Sequence, residues 1–530
     1  MDNLKTVELQ NSQPPQPSYT AQNPEEAAKA AKPDKPDKAA RFKSFALPTA
    51  LYALFYTFCL YHNASGITYP FFAGGTLWFF SRCIRESKSS SAAANATFNK
   101  YFLAAAILAA GALNCCTDSA VLLFFNKALM YTLLIISILE LSHDTCGWSI
   151  TAGIRAIFAV IFGAIGKCLD AVSDACAAIS LSHIKDRPRS MERRRIIISI
   201  IIGIAISIPI SFFVLLLLGD ADAIFWKLLL DTANWAFEHS FEINKTAVKL
   251  MARIAITFAI SYGILSFCTD SGRIKAMDEK AAGQKPRFDE YIAITFTAIV
   301  AVIYLVFSFT QIFGLFLGRM TLPEGFTYSS YARKGFFDLV ILCVFNIVLV
   351  LCAAAYFNTN KILRSILTVI CLCTYIMAAS SAFRMFMYIK EYNLTFLRIL
   401  VLWGLLMTAI VMAEVITYVY RDNLRLFKYI TMTLTIGWLA FSALHPDYWI
   451  MRYNVSKADY TLFYHYSGMS LDAFSAAENI DNFNEMRIMR RVDEYADTKK
   501  GIDAVRKFNF SKEYALHKAK SAGYELNKEN

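Results

Sequence analysis

Five polar side chains lie within or at the ends of stretches that are otherwise apolar: Lys127, Arg253, Gln311, Asn346 and Glu414. A charge at the centre of a bilayer costs at least about 2.5–3.5 kcal/mol on insertion scales, so such groups need a partner or a task. Glu414 is the clearest acid. It reads either as a proton or cation site or as a hydrogen-bonding contact to a neighbouring helix, with Arg421 one candidate partner. Gln311 and Asn346 read as interhelical hydrogen-bond residues. A second set falls at the junctions between apolar blocks and loops: Asp222, Arg333, Arg384, Arg398, Asp447 and Arg452. Opposite charges that are partly desolvated tend to pair. A network of these six would either recognise a ligand or peptide or staple helix ends together. The sequence has no GxxxxGK[ST] phosphate loop, no HExxH and no GxSxG elbow, so no catalytic, cofactor or metal site is expected. The seven His form no metal-spaced pair, and the twelve Cys include no zinc-spaced CxxC.

The elements that must position these residues follow from composition. Hydrophobic residues make up 56% of the 530, charged residues only 18%. The apolar residues come in blocks of about twenty, the length that crosses a hydrocarbon core of roughly 30 Å at 1.5 Å per residue. In lipid each backbone group must pair within its own segment, so the blocks are expected to be helices. Spans are read at 45–61, 68–84, 101–114, 120–139, 196–218, 250–269, 290–312, 336–357, 362–383, 397–420 and 427–445. The fold expected is an all-α polytopic transmembrane helical bundle with about eleven spans. Residues 1–44, rich in Pro, Ala and Lys, cannot bury a core and are expected to be disordered. Residues 446–530 show short helical periodicity and read as a small helical tail domain.

Orientation comes from Lys and Arg. With the N-terminus inside, the inner segments hold 29 of them and the outer loops 9. This bias places the N-terminus in the cytoplasm. An odd number of spans then puts the tail outside, along with the loop 219–249. Segment 149–180 carries Arg155, Lys167, Asp170 and Asp174, and reads as an amphipathic helix on the cytoplasmic surface. Membrane lipid is the expected partner. The basic run with Arg193, Arg194 and Arg195 either contacts anionic headgroups or only fixes orientation. The net charge of +11 is spread between apolar blocks, so it carries no nucleic-acid signal.

Several junction clusters resemble the signature of a bacterial family of polytopic membrane proteins catalogued as a domain of unknown function. Thr327-Tyr-Ser-Ser-Tyr-Ala-Arg-Lys-Gly-Phe-Phe337 is similar to its Tyr-Ala-x-Tyr-Ala-Arg-x-Gly-Phe-Phe. Ser381-Ala-Phe-Arg-Met-Phe-Met-Tyr388 is similar to its Ser-Ala-x-x-Arg-Met-x-x-Tyr. Asn393-Leu-Thr-Phe-Leu-Arg398 resembles Gly-Leu-Thr-x-x-Arg, with Asn for Gly. His445-Pro-Asp-Tyr-Trp-Ile-Met-Arg-Tyr-Asn454 resembles Asn-Pro-Asp-x-x-Ile-x-x-Tyr-Asn, with His for Asn. Ser470-Leu-Asp-Ala473 matches Ser-x-Asp-Ala, and Asp222-Ala-Ile-Phe225 resembles Asp-Pro-Val-Phe without its Pro. The departures at 393 and 445 fall at turns, and Asn tolerates the left-handed conformation that Gly supplies. The resemblance implies a bacterial cytoplasmic membrane protein and no particular activity.

The leading expectation is therefore a non-enzymatic membrane protein whose extracytoplasmic face senses or binds something and transmits a signal. The alternative is a secondary transporter of a small solute or ion built on Glu414 and Lys127, which should show a water-lined midplane cavity touching them. A lipid-linked transferase is a third reading, with only Asp220 and Asp222 in its support.

Overall fold

The computed structural model describes residues 38–87, 98, 100–142, 145, 148–182, 227, 245–270, 288–313, 328–421, 424–457, 469–477 and 487–521. The described secondary structure is helical. In chain order the helices are α1 (Lys38–Leu60), α2 (Thr68–Ser87), α3 (Lys100–Cys116), α4 (Ala120–Ser142), α5 (Ile150–Gly166), α6 (Asp170–Ser182), α7 (Lys245–Cys268), α8 (Glu290–Gln311), α9 (Tyr328–Tyr356), α10 (Lys361–Tyr392), α11 (Phe396–Tyr420) and α12 (Leu426–Ala443). The tail adds α13 (Pro446–Ser456), a 3-10 turn at Leu471–Ala473, α14 (Phe474–Ala477), α15 (Arg487–Asp497), α16 (Ile502–Arg506) and α17 (Phe510–Ser521).

Helix α8 shows why these helices belong in lipid. It buries Ala293, Thr297, Ala301, Tyr304, Ser308 and Gln311, at helical spacing. Its opposite face exposes Ile292, Ile299, Val302, Ile303, Val306 and Phe309. Small and polar residues inside, large aliphatics outside, is the reverse of a water-soluble helix and suits packing within a bilayer. Hydroxyls within the spans return to the helix backbone, as Thr297 does to the Ala293 carbonyl at 2.5 Å and Thr374 to Ile370 at 2.7 Å.

Among the described residues, seven helical stretches are long and apolar enough to cross a membrane: Ala120–Ser142, Ala247–Cys268, Glu290–Gln311, Phe336–Tyr356, Lys361–Tyr392, Phe396–Tyr420 and Leu426–Ala443. They correspond to seven of the eleven expected spans. Helices α1, α2 and α3 cover the first three; α3 is apolar but has only 17 residues. Residues 196–218, the basic run 193–195 and most of the loop 219–249 lie outside the described residues. So do residues 1–37. Residues 38–44, expected to be disordered, instead form the first turns of α1, because Arg41 is tied to Asp174 by hydrogen bonds of 2.5 and 2.8 Å.

Chain direction sorts the connections onto two ends of the bundle. At one end lie the turns at Asn63, Thr117, Asn393 and His445. At the other, the Phe98 N–H reaches Glu140 at 2.6 Å, and Asn360 caps α10 while bonding Glu290 at 3.0 Å. Helices α8 to α11 share one core, with Leu339, Leu367, Met377 and Val411 at its centre. Helices α1, α2 and α4 to α7 form a second, around Tyr52, Phe80, Leu139 and Tyr262. Helix α12 joins the two groups. Trp438 donates to Asn126 on α4 at 2.8 Å, and Trp403 on α11 donates to the Gly437 carbonyl at 3.1 Å.

Segment 149–180 is two helices, α5 and α6, bent by 52° and together meeting the length and hydropathy of one broken span. Gly153 and Gly163 leave room only for the rings of Phe427 and Phe267, which would lie 2.5 and 2.3 Å from an added Cβ. Phe427 is in the first turn of α12 and Phe267 in the last turn of α7, at the same end of the bundle. Helix α5, about 15 Å long between those glycines, therefore crosses that end. Its expected surface charges are largely satisfied inside the fold. Asp174 is fully buried and takes Arg41 and the Tyr262 hydroxyl; Lys167 bonds Asp270 at 3.0 Å; Asp170 accepts from Ser266 at 2.5 Å.

Candidate functional site

At the end that carries the Asn393 turn, α9, α10 and α11 enclose a pocket of about 140 Å³. Its walls are Phe336 and Phe337 from α9, Met385 and Tyr388 from α10, and Thr395, Leu397 and Arg398 from the start of α11. Each wall residue belongs to one of three sequence motifs, those around Phe336, Met385 and Thr395. The floor is firm, since Phe336, Met385 and Ile389 are buried against Val340, Leu394 and Val401.

The turn that closes the pocket needs a residue with positive φ, and Asn393 supplies it with φ of 63°. The Arg398 guanidinium donates through Nη1 to the carbonyls of Tyr392 and Asn393, the last acceptors of α10. It also lies over the Tyr388 ring at 4.2 Å, a cation–π contact. Arg398 thus ties two motifs together and forms one side of the pocket. Below it, Gln311 accepts from Ser380 at 2.7 Å and from buried Arg384 at 3.0 Å, joining α8 to α10.

The tail holds this turn from above. Asn454 on α13 accepts the Leu394 N–H and donates to the Leu394 carbonyl, both at 2.9 Å. Asn454 closes the fourth motif, and the fourth and fifth motifs join in turn, because Ser470 donates to Asp447. Burial raises the Asp447 carboxyl above the ordinary range, partly offset by the Ser470 bond.

Asp472, in the fifth motif, is the hub by which the tail meets the bundle. It has no exposed side-chain surface. It accepts from the Thr117 hydroxyl, from the Asp118 N–H at 2.7 Å and from Ser511 at 2.5 Å, and lies 3.3 Å from His445 Nδ1. Burial alone would raise its pKa, but the bonds from His445, Ser511, Thr117 and the Asp118 N–H bring it below the ordinary value. The bond to Asp472 in turn raises His445. Asp118 receives Arg491 at 3.2 Å and Lys512 at 3.0 Å. Asn509 donates to the carbonyls of Ser65 and Thr117, both at 2.9 Å, and Asn63 donates to the Arg506 carbonyl at 2.9 Å. At Gly66 a Cβ would stand 2.0 Å from that carbonyl, so only glycine admits the tail there. The tail has its own core of Met451, Leu471, Phe474, Met489, Val492 and Leu516.

The expected charge network is placed as follows. Asp222 lies outside the described residues. Arg333 falls in α9, one turn before Phe336. Arg384 bonds Gln311, Arg398 bonds two carbonyls, and Asp447 bonds Ser470. Arg452 is exposed, bonded to the Tyr448 hydroxyl at 3.2 Å and 5.7 Å from the Trp449 ring. None of these contacts joins one of the expected acids to one of the expected bases. Of the intramembrane candidates, Asn346 is fully buried and links three helices, accepting from Tyr304 at 2.7 Å and donating to Thr374 at 2.9 Å. Glu414 accepts from Thr433 on α12 at 2.5 Å rather than from Arg421, and its Oε2 is buried without a hydrogen-bond partner among the described residues. Lys127 stands 5.2 Å from the Tyr69 ring, and Arg253 donates to the Leu60 carbonyl at 3.2 Å. A second cavity, about 240 Å³, lies between α1, α2, α4 and α7; Tyr52, Tyr131 and Ile260 line it, and neither Glu414 nor Lys127 does.

Sequence reasoning missed Asp118, Asn509, Arg506 and the Arg41–Asp174 pair. Single polar residues carry no periodic signal, and the only cue was Asp472 inside the fifth motif. No curated protein and no solved structure matches the chain. Residues 102–480, which run from α3 through the fifth motif, match the family model described as "Domain of unknown function (DUF4153)", and the chain belongs to that family.

Proposed function

We propose that this is a non-enzymatic protein of the bacterial cytoplasmic membrane that binds a ligand in the motif pocket on its extracytoplasmic end and passes occupancy to the docked tail. The carrying observation is the convergence of motifs. Three segments from α9, α10 and α11 wall one pocket, and Asn454 of the tail grips the turn that closes it. Any ligand that shifts the Asn393 turn must strain or release the Asn454 contact, which is a physical route from pocket to tail. The orientation is supported by charge, since the expected inner segments hold 29 Lys and Arg against 9 in the outer loops.

The test uses a deletion strain complemented with the full chain. Leu397→Trp fills the pocket without removing any bond made by Arg398. Asn454→Ala cuts the link to the tail. Both variants, at wild-type protein level, are expected to lose complementation. Full complementation by both would overturn the proposal.

A further inference from the structure

The geometry points to the ligand class for this pocket: the headgroup region of an anionic phospholipid, drawn from the surrounding leaflet. The inference rests on the pocket reading above and deepens it. The first observation is depth. Tyr388 lies one turn from the end of α10, Leu397 and Arg398 lie in the first turn of α11, and Phe336 opens the apolar stretch of α9. The pocket therefore sits where spans meet headgroups, not at the bilayer centre. Tyr388 and Tyr392 pair at the end of α10, and Tyr448 and Trp449 pair at the start of α13, the kind of residue enriched at membrane interfaces.

The second observation is size. A cavity of about 150 Å³ admits one benzene-sized group, so the observed 140 Å³ takes a glycerol-phosphate unit or the first few methylenes and leaves the chains in the bilayer. Phe337 and Leu397 are exposed at the rim, apolar surface that acyl chains can cover.

The third is charge. Arg398 uses only Nη1 in its hydrogen bonds to the described residues, so its other nitrogens can face a phosphate. Thr395 makes no side-chain cap on α11, so the N–H groups of Phe396 and Leu397 remain open donors beside the same wall. Arg398 is the one charged residue among those that line the pocket, so the charge at its wall is positive. A zwitterionic lipid would bring its own cation to Arg398; an anionic one would not.

The experiment reconstitutes the full chain in vesicles containing a photo-crosslinkable phosphatidylglycerol with its diazirine near the glycerol. Adducts are mapped by mass spectrometry, with unlabelled phosphatidylglycerol, phosphatidylcholine or soluble glycerol 3-phosphate as competitor. Adducts are expected on 336–337, 385–388 or 395–398. Phosphatidylglycerol should compete about tenfold better than phosphatidylcholine, the lower end for a charge-assisted hydrogen bond, and soluble glycerol 3-phosphate should not compete. Leu397→Trp, which keeps the Arg398 bonds, should abolish the adducts, and Arg398→Gln should remove the preference. Equal competition by the two lipids overturns the inference, as does adduct formation that survives Leu397→Trp. Displacement by soluble glycerol phosphate overturns the lipid source. If Leu397→Trp loses complementation while the lipid preference is absent, the pocket stands and the phospholipid is rejected.

Discussion

The two ends of the helical bundle are closed by polar contacts of different origin. At the end crossed by α5, the ions come from the bundle's own helices: Arg41 of α1 grips Asp174 of α6, with Tyr262 of α7 as a further donor. At the other end the closing groups come from a tail with its own core, which lays Asp472, Arg491, Asn509 and Lys512 onto loops of α1 to α4. The first arrangement can open only by separating spans. The second can open by lifting the tail, with the spans left in place.

Substitutions should separate the two. The largest effect is expected from Asp174→Ala, which leaves a nearly buried Arg41 with only its 3.5 Å contact to Asp170 and takes the acceptor from the Tyr262 hydroxyl. Breaking one side of a buried pair costs about 3–5 kcal/mol. The melting temperature of the whole protein in detergent should fall, and tail and spans should unfold together. Asp472→Ala comes next. It leaves Thr117, Ser511 and the Asp118 N–H without their acceptor, at about 3 kcal/mol in all. Here protease should cut residues 457–521 at a temperature where α8 to α12 still resist. Loss of the spans at that same temperature would erase the distinction between the two ends.

Smaller changes probe the link and the interior. Asn454→Ala removes two hydrogen bonds to Leu394, about 1–2 kcal/mol. Hydrogen exchange should rise at 393–398 and in α13 while the Asp472 contacts hold. Glu414→Gln keeps an acceptor for Thr433 and is expected to leave complementation unchanged. If it abolishes complementation at normal protein level, the transporter reading takes over.

What could be read in advance followed from repeated physical demands. Apolar blocks recur because each span must satisfy the same hydrocarbon, so seven spans were visible from length alone. The turn at Asn393 was readable because few residues adopt positive φ, and the structure gives 63° there and 48° at His445. Where each polar side chain goes was not readable. Arg41 and Asp174 are 133 positions apart, and the Asn509 contact with Thr117 spans 392. Each charge has several equally good partners in the sequence, and only the packed helices choose one. The junction charges illustrate this. They are expected to pair with each other, and the structure gives Arg398 the carbonyls at the end of α10 and Arg384 the Gln311 amide oxygen.

The smallest predicted effect tests the docked end alone, through pH. His445 sits in a left-handed turn with Asp472, Asp447 and Cys116 around its ring. Its pKa is raised from 6.5 in the docked state, chiefly by the bond to Asp472. A raised pKa means the charged ring favours docking. That contribution is complete below the undocked value and is lost as pH rises through the docked one. Asp472 is depressed, so its contribution is present above the ordinary carboxylate value, about 4, and fades only as pH falls through its lower docked value. The clasp should therefore be tightest at mildly acidic pH and loosen on the alkaline side. Tail proteolysis should be faster at about pH 8.5 than at about pH 6, which lie on either side of the imidazole range. His445→Asn tolerates the same left-handed backbone, so it removes the charge without disturbing the turn. It should abolish the pH difference while leaving the tail folded. A variant that keeps the full difference would move the titration to another group and leave the His445–Asp472 contact as a neutral hydrogen bond.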